Sequence, residues 1–327
     1  MKDKLFVLDA HFDLLSDVVL RRQRGERNCI ERIYLPDIRK GGVSALVASL
    51  YVDDAYLPEL GLRLALGQIA SLHKEAEESD AIAVCTSASD FRKANEEGKL
   101  GIMLSFEGVE PVFSVDSLLL FHKLGVRGVG LCWSRPNRAA DGIDFQGSRK
   151  KGGLTAYGEE LVDEAVRLGM FIDVSHLSNE GVEALMAHTS APFIASHSNA
   201  RALSPVNRNL PDEYLEEIGR RGGVVGLNSY SPFVAADGAD LERLADMLEY
   251  LIAKLGEDHV GFGFDLCDIF YEYGTFQGVR KNHDVLKTHA EVPVFLSILE
   301  KRGFSGELIE KLAGKNWLSF YDRYGVR

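Results

Sequence analysis

A (β/α)₈ TIM barrel of the metal-dependent hydrolase type is the fold class this sequence predicts, on three observations. Eight short apolar, β-branched runs recur along the chain, and helix-period segments lie between most of them. The runs are continuous rather than alternating, as parallel strands buried on both faces require. The 327 residues suffice for one such barrel with insertions, so a single domain over 1–327 is expected. Hydrophobic residues at 46% and charged residues at 26% match folded soluble domains, which excludes disorder. The nine prolines are dispersed rather than gathered into a linker, and no low-complexity segment or fixed-period repeat interrupts the pattern.

In chain order, the predicted strands are 5–8, 43–50, 101–105, 126–132, 171–174, 193–195, 224–227 and 260–264. Helix-period stretches are expected at 58–79, 114–124, 157–168, 178–187, 211–220, 241–255 and 292–301, several opening with Ser or Pro as helix starts do. Residues 81–85 read as an additional short strand before a helical segment at 89–97. The longer connections at 19–40, 134–156 and 266–290 are expected to be active-site loops, because loops at the C-terminal face of this fold carry function.

Charge and hydropathy exclude several partners. With 37 Lys+Arg against 49 Asp+Glu the net charge is −12, which argues against a nucleic-acid footprint. The longest apolar runs, 44–51 and 126–133, fall far short of the ~18 residues of a membrane span. Asp9, His11 and Asp13 break the N-terminal apolar segment before it reaches the ~7 residues of a signal-peptide core. No anchor-like tail follows Trp317, so a cytoplasmic location without membrane attachment is expected. Cys29, Cys85, Cys132 and Cys267 lack CxxC spacing and read as free thiols in the core.

The strand ends carry the chemistry. Residues 5–8 lead into Asp9-Ala10-His11-Phe12-Asp13, where His11 and Asp13, two apart on an extended chain, point the same way. Later strands end at Ser105-Phe106-Glu107-Gly108, Val174-Ser175-His176, Ala195-Ser196-His197 and Phe264-Asp265. Three His, two Asp and one Glu thus converge on the rim where barrel active sites are built. This nitrogen and oxygen set without sulfur favours zinc or a similar divalent ion. Six groups exceed one tetrahedral ion. The economical arrangement is two zinc ions, His11 and Asp13 on one, His176 and His197 on the other, with Glu107 and a hydroxide bridging them. Such a hydroxide would attack an amide carbonyl. Asp265 remains to orient it and pass its proton to the leaving amine. Taken singly, a strand-end His is more often structural and a lone carboxylate more often a helix cap. It is the coincidence of all six that points to metal. His73, His122, His188, His259, His283 and His289 are read as structural.

The motifs Asp9-x-His11-x-Asp13, Ser105-Phe106-Glu107-Gly108, Asp173-Val174-Ser175-His176, Ser196-His197-Ser198, Asn207-Arg208-Asn209 and Gly261-Phe262-Gly263-Phe264-Asp265 resemble those of the membrane (renal) dipeptidase family, peptidase family M19. The resemblance runs in order over nearly the whole chain. It implies a binuclear zinc barrel that cleaves dipeptides, often with a D-residue in second place, and the same ligand set. It also implies that Arg208 binds the dipeptide carboxylate, which suits a bidentate guanidinium fork. A homodimer is expected from the resemblance alone.

Two departures stand out. Where many members carry Leu-Thr-His, with the His helping to polarise the scissile carbonyl, this chain has Leu131-Cys132-Trp133-Ser134. Trp133 cannot accept a proton, although its indole N–H can donate one hydrogen bond. Asp265-Leu266-Cys267-Asp268 replaces two acids one residue apart followed by Gly. Trp133, with Asn137 and Arg138 beside it, is expected to form an aromatic substrate wall. The leading expectation is therefore a zinc dipeptidase acting on L-Xaa-D-Xaa or L-Xaa-L-Xaa. A zinc amidohydrolase of N-acyl amino acids or another small amide is the alternative. A catalytically silent ligand-binding barrel is the third reading, and the completeness of the ligand set argues against it.

Overall fold

The computed structural model describes residues 5–144, 152–276, 278 and 280–326. Its strands are β1 (Val7–Phe12), β2 (Val43–Tyr51), β3 (Ile82–Val84), β4 (Leu100–Glu107), β5 (Val126–Gly130), β6 (Phe171–Asp173), β7 (Phe193–Ile194), β8 (Val225–Leu227) and β9 (Val260–Phe262). All pair in parallel in the order β7-β6-β5-β4-β2-β1-β9-β8, and β3 adds to β4 off this path as the short extra strand at 81–85. The Ala195–Val225 bridge joins the two ends of that path, so eight strands form a nearly closed barrel. Every residue of those eight strands is buried, the expected consequence of helices outside and packed side chains within.

The helices are α1 (Leu14–Gln23), α2 (Leu35–Lys40), α3 (Gly61–Glu78), α4 (Ala88–Glu96), α5 (Ser117–Lys123), α6 (Ala156–Leu168), α7 (Asn179–His188), α8 (Asp212–Arg220), α9 (Ser231–Val234), α10 (Leu241–Leu255), α11 (Asp268–Glu272), α12 (Val292–Lys301), α13 (Gly306–Glu310) and α14 (Asn316–Tyr324). Side-chain caps start several of them: Ser87, Thr155, Ser178 and Asp240 accept from backbone N–H groups two or three residues inside α4, α6, α7 and α10. None of these helices is long and apolar enough to cross a membrane.

The segment 19–40, expected to be an active-site loop, is mostly helical. It comprises the end of α1, a π-helical turn at Ile30–Tyr34 and α2. The apolar stripe that drives α1 begins at Leu14 and Leu15, within one residue of the metal-type motif, and the arginines that follow conceal its period. Of the loop expected at 134–156, residues 145–151 lie outside the described residues, and 134–144 form irregular structure. The segment 266–290 contains α11 and the start of a 3₁₀ turn at His289–Glu291. At the other end of the chain, α14 buries Trp317, Phe320 and Tyr321 against Leu8, Ala45, Met103 and Phe171 of the strands.

Candidate active site

Alternation along β4 separates Phe106, which packs on Phe121 of α5, from Glu107 at the strand's C-terminal end. The two Glu107 oxygens diverge. Oε2 lies 3.4 Å from His11 Nε2, while Oε1 lies 2.9 Å from His176 Nε2 and 3.7 Å from His197 Nε2. His11 Nε2 also stands 3.7 Å from Asp13 Oδ1 and 3.9 Å from Asp265 Oδ1. His176 and His197 meet through their Nε2 atoms at 2.9 Å. The structure thus brings together all six rim residues singled out in the sequence. Two overlapping groups, His11 with Glu107 and His197, and His11 with Asp13 and Asp265, have spacing able to hold a metal ion.

Backbone irregularity aims these groups. β1 pairs Asp9 with Leu46 but Phe12 with Ala48, so one extra residue bulges between them. That bulge separates Asp9 from His11, which simple alternation would place on one face. Asp9 accepts from the backbone N–H groups of His11 and Phe264 and pairs with His289 Nε2 at 2.8 Å. It therefore ties the end of β1 to the segment that carries Asp265. His289, read from sequence as structural, has that role here. Asp265 itself adopts φ +57°, a left-handed conformation uncommon for Asp, and accepts from Asn228 Nδ2 at 3.1 Å.

Hydroxyl groups orient the imidazoles. Ser196 Oγ lies 2.7 Å from His197 Nδ1 and donates to Asp173, while Ser134 Oγ lies 3.1 Å from His176 Nδ1. Partners on Nδ1 leave Nε2 facing the cluster, the arrangement that supports metal-binding histidines. Ser49 in turn donates to Asp13.

The electrostatics match this division. Burial, reinforced by Arg208 and His11, holds His176 and His197 well below the usual imidazole range, so both are neutral with free lone pairs. Burial opposes charge on His11 as well, but Glu107, Asp13 and Asp265 outweigh it and raise the imidazole to about 10. Burial and Asp13 raise Glu107 to about 8. Burial also raises Asp265, against the opposing pull of His11. His11 Nε2 and Glu107 Oε2 are buried without hydrogen-bond partners. A divalent cation taking the place of the His11 proton would satisfy both and complete the donor set, so the residues fit a metal centre.

The cluster floors a cavity of about 540 Å³ lined in part by Trp133, Arg208, Tyr230, Phe233, Phe276 and Arg280. Arg208 is buried, and burial lowers its guanidinium to about 10, which leaves it charged at neutral pH. It donates to Ser198 Oγ and the His197 carbonyl, and its Nε is buried without a partner.

Aromatic contacts continue around the cavity from Arg208. Arg208 stacks on Phe233 at 5.6 Å, Phe233 meets Tyr230 edge-on, and Arg280 covers both Tyr230 and Tyr271. Tyr271 then contacts Phe276, Phe276 contacts Tyr51, and Tyr51 contacts Trp133. Trp133 reaches His176, whose Nε2 lies 3.4 Å from Arg208, which closes the collar. Asn137 stands apart from this wall. Its amide donates to the Leu131 carbonyl, and its oxygen accepts from the N–H groups of Ala139 and Ala140. Both ends of its side chain therefore hold the loop that follows Trp133. Cys29, Cys85 and Cys132 are core residues as expected, but the half-buried Cys267 lines the cavity beside Asp265 and Asp13.

The family model for membrane dipeptidase, peptidase family M19, matches residues 1–322. The chain belongs to the membrane dipeptidase family. A solved metallopeptidase from Rhodobacter sphaeroides, bound to a phosphinate mimic of the dipeptide L-Ala-D-Ala, superposes with a TM-score of 0.85 at 28% identity, covering 98% of this chain and all of that one. Dipeptidase aclJ of Aspergillus oryzae is 30% identical over 88% of this chain and 68% of its own length. An uncharacterised Klebsiella pneumoniae protein from the pqqA 5′ region is 35% identical over 72% of this chain and 87% of its own. Membership makes this chain a metallo-dipeptidase, a metal-dependent hydrolase of peptide bonds.

Within this dipeptidase, sequence reasoning missed Ser134, Ser196 and Asn228, which touch His176, His197 and Asp265, and Tyr51 and Phe276 in the collar. The serines had a signal, since each neighbours a motif residue already singled out. Asn228, Tyr51 and Phe276 had none, because their partners come from other strands and loops.

Proposed function

We propose that this metallo-dipeptidase hydrolyses dipeptides with two zinc ions, one held by His11 and Asp13, the other by His176 and His197, with Glu107 spanning both. The observation that carries this reading is the divergence of Glu107, whose two oxygens face His11 at 3.4 Å and His176 at 2.9 Å. When bound, the ions supply Lewis acidity, lowering the pKa of a water towards neutrality and polarising the scissile carbonyl. Arg208 binds the substrate carboxylate through its guanidinium, held in place by Ser198 and the His197 carbonyl. Asp265 takes the proton from the attacking water as its oxygen bonds to the carbonyl carbon. It then gives that proton to the amine nitrogen as the C–N bond breaks. Its burial favours the protonated carboxyl, as the second half of this transfer requires, and Asn228 fixes its orientation. Trp133 can give the substrate at most one neutral N–H donor.

The test is metal analysis combined with hydrolysis of L-Ala-D-Ala before and after chelation. Two zinc ions per chain, with activity lost on chelation and restored on addition of zinc, are expected. One ion per chain, or cleavage that survives chelation, would overturn the binuclear reading. Turnover of N-acyl amino acids without any dipeptide cleavage would move the enzyme to the alternative amide substrates.

A further inference from the structure

The aromatic collar is uneven, and its shape bears on the substrate. Arg208 and Phe233 form one stretch of it, while Tyr51, Trp133 and Phe276 form a contiguous arc that His176 separates from Arg208. Tyr51 meets Trp133 at 4.9 Å and Phe276 at 5.9 Å, both edge to face. This arc stands over the metal cluster. Tyr51 pairs in register with Glu107 across β2 and β4, and the Trp133 ring lies 6.1 Å from His176. A dipeptide whose carboxylate rests on Arg208 and whose peptide carbonyl lies over the cluster has this arc within reach of its first side chain.

We infer that this arc is a recognition pocket for a bulky apolar, preferentially aromatic, first residue of the dipeptide, and that Trp133 is its specificity-determining residue. The inference rests on the dipeptidase reading above. Three ring edges and faces can surround one further ring in the edge-to-face and offset geometries that aromatic groups favour. A cavity of about 540 Å³ leaves room for such a side chain, which a glycine or alanine would leave unfilled. Trp133 supplies the largest face of the three and lies three residues past the end of β5, next to the buried Cys132. Differences of one methylene in an apolar pocket already change kcat/KM by about 10-fold or more.

The experiment compares Gly-, Ala-, Leu- and Phe-D-Ala as substrates of the zinc-loaded enzyme and of Trp133→Ala and Trp133→His. For the wild type, Phe-D-Ala should exceed Ala-D-Ala in kcat/KM by at least about tenfold. Both variants should erase that margin, lowering kcat/KM for Phe-D-Ala by at least about tenfold more than for Ala-D-Ala. A readout free of turnover accompanies it. The chain has two tryptophans, and Trp317 is fully buried, so a change in emission on adding Phe-D-Ala to chelated protein reports on Trp133. That change should appear at lower concentration for Phe-D-Ala than for Ala-D-Ala, and should vanish in Trp133→Ala. Cleavage of all four dipeptides at similar rates, or an equal loss across the panel in both variants, would overturn the pocket and leave the dipeptidase reading intact. Absence of any dipeptide cleavage by the wild type would overturn both.

Discussion

Ser196 shows how much a single uncharged side chain decides at this centre. Its hydroxyl donates to Asp173 and lies 2.7 Å from His197 Nδ1, so it can accept a hydrogen bond from the Nδ1–H and leave Nε2 as a lone-pair donor. Ser196→Ala removes that partner without adding volume. Outer partners of this kind are worth about 10- to 100-fold in metal affinity or activity. Competition with a chromogenic chelator should show a loss of that size in zinc affinity, and an unchanged affinity would leave the hydroxyl a packing role only. Asp265 is predicted to behave differently. In Asp265→Asn an amide oxygen can still accept from Asn228, so the side chain keeps its orientation but cannot carry a proton. Turnover should fall by about 10²–10⁴-fold with zinc content preserved. Loss of the metal, or near-normal turnover, would remove Asp265 from the proton path.

At the scale of elements, the pair α1 and α3 has its own electrostatic lock. Glu75 of α3 is fully buried, pairs with Arg22 of α1 and accepts from the backbone N–H of Ile30 at 2.8 Å. Arg22 also binds both oxygens of Glu78 at 2.8 Å. Glu75→Ala would leave the Ile30 N–H without its acceptor and Arg22 with Glu78 alone, at a cost of about 1–3 kcal/mol. A lower urea midpoint with an unchanged slope would report this. Hydrogen bonding to Arg22 lowers the Glu78 carboxyl to about 2 from its ordinary 4.5. A carboxyl held low when folded stabilises fully above its unfolded value and loses that contribution as pH falls through its folded value. Stability should therefore decline between pH 4.5 and about 2, and Glu78→Gln should flatten that decline. An acid-unfolding curve identical to wild type would show the pair to be thermodynamically silent. The α3 half of this lock lies within the helix expected at 58–79, whereas the α1 half was not legible as structure in the sequence. The arginines of residues 21–27 read as loop because the apolar stripe of α1 starts just after Asp13. The C-terminal helices were missed for a related reason, because a π-helical turn at Lys311–Lys315 shifts the helical period between α13 and α14.

On the scale of the whole molecule, the barrel depends on its closing seam. Ala195 and Ser198 exchange backbone hydrogen bonds with Gly226, and the Ser196 carbonyl enters the space left by two glycines. A Cβ on Gly263 would meet that carbonyl oxygen at 1.7 Å, and one on Gly226 at 1.9 Å. Gly263→Ala should therefore displace the strand end that carries His197, lowering stability by about 3 kcal/mol. Thermal melting should show the loss together with weakened zinc binding, and a melting point equal to wild type would refute the seam argument. Most of the architecture was nonetheless legible from the chain. The apolar runs and helix periods are local, set by which residues must face the sheet and which the solvent, and the strand ends delivered His11, Asp13, Glu107, His176, His197 and Asp265 because covalent neighbours cannot leave a strand's end. Tertiary structure alone decided the β1 bulge that parts Asp9 from His11, the hydroxyls that fix each imidazole and the collar around Trp133. Each of these depends on atoms brought together from positions far apart in the chain, where pairing register and barrel closure, rather than local period, determine who meets whom.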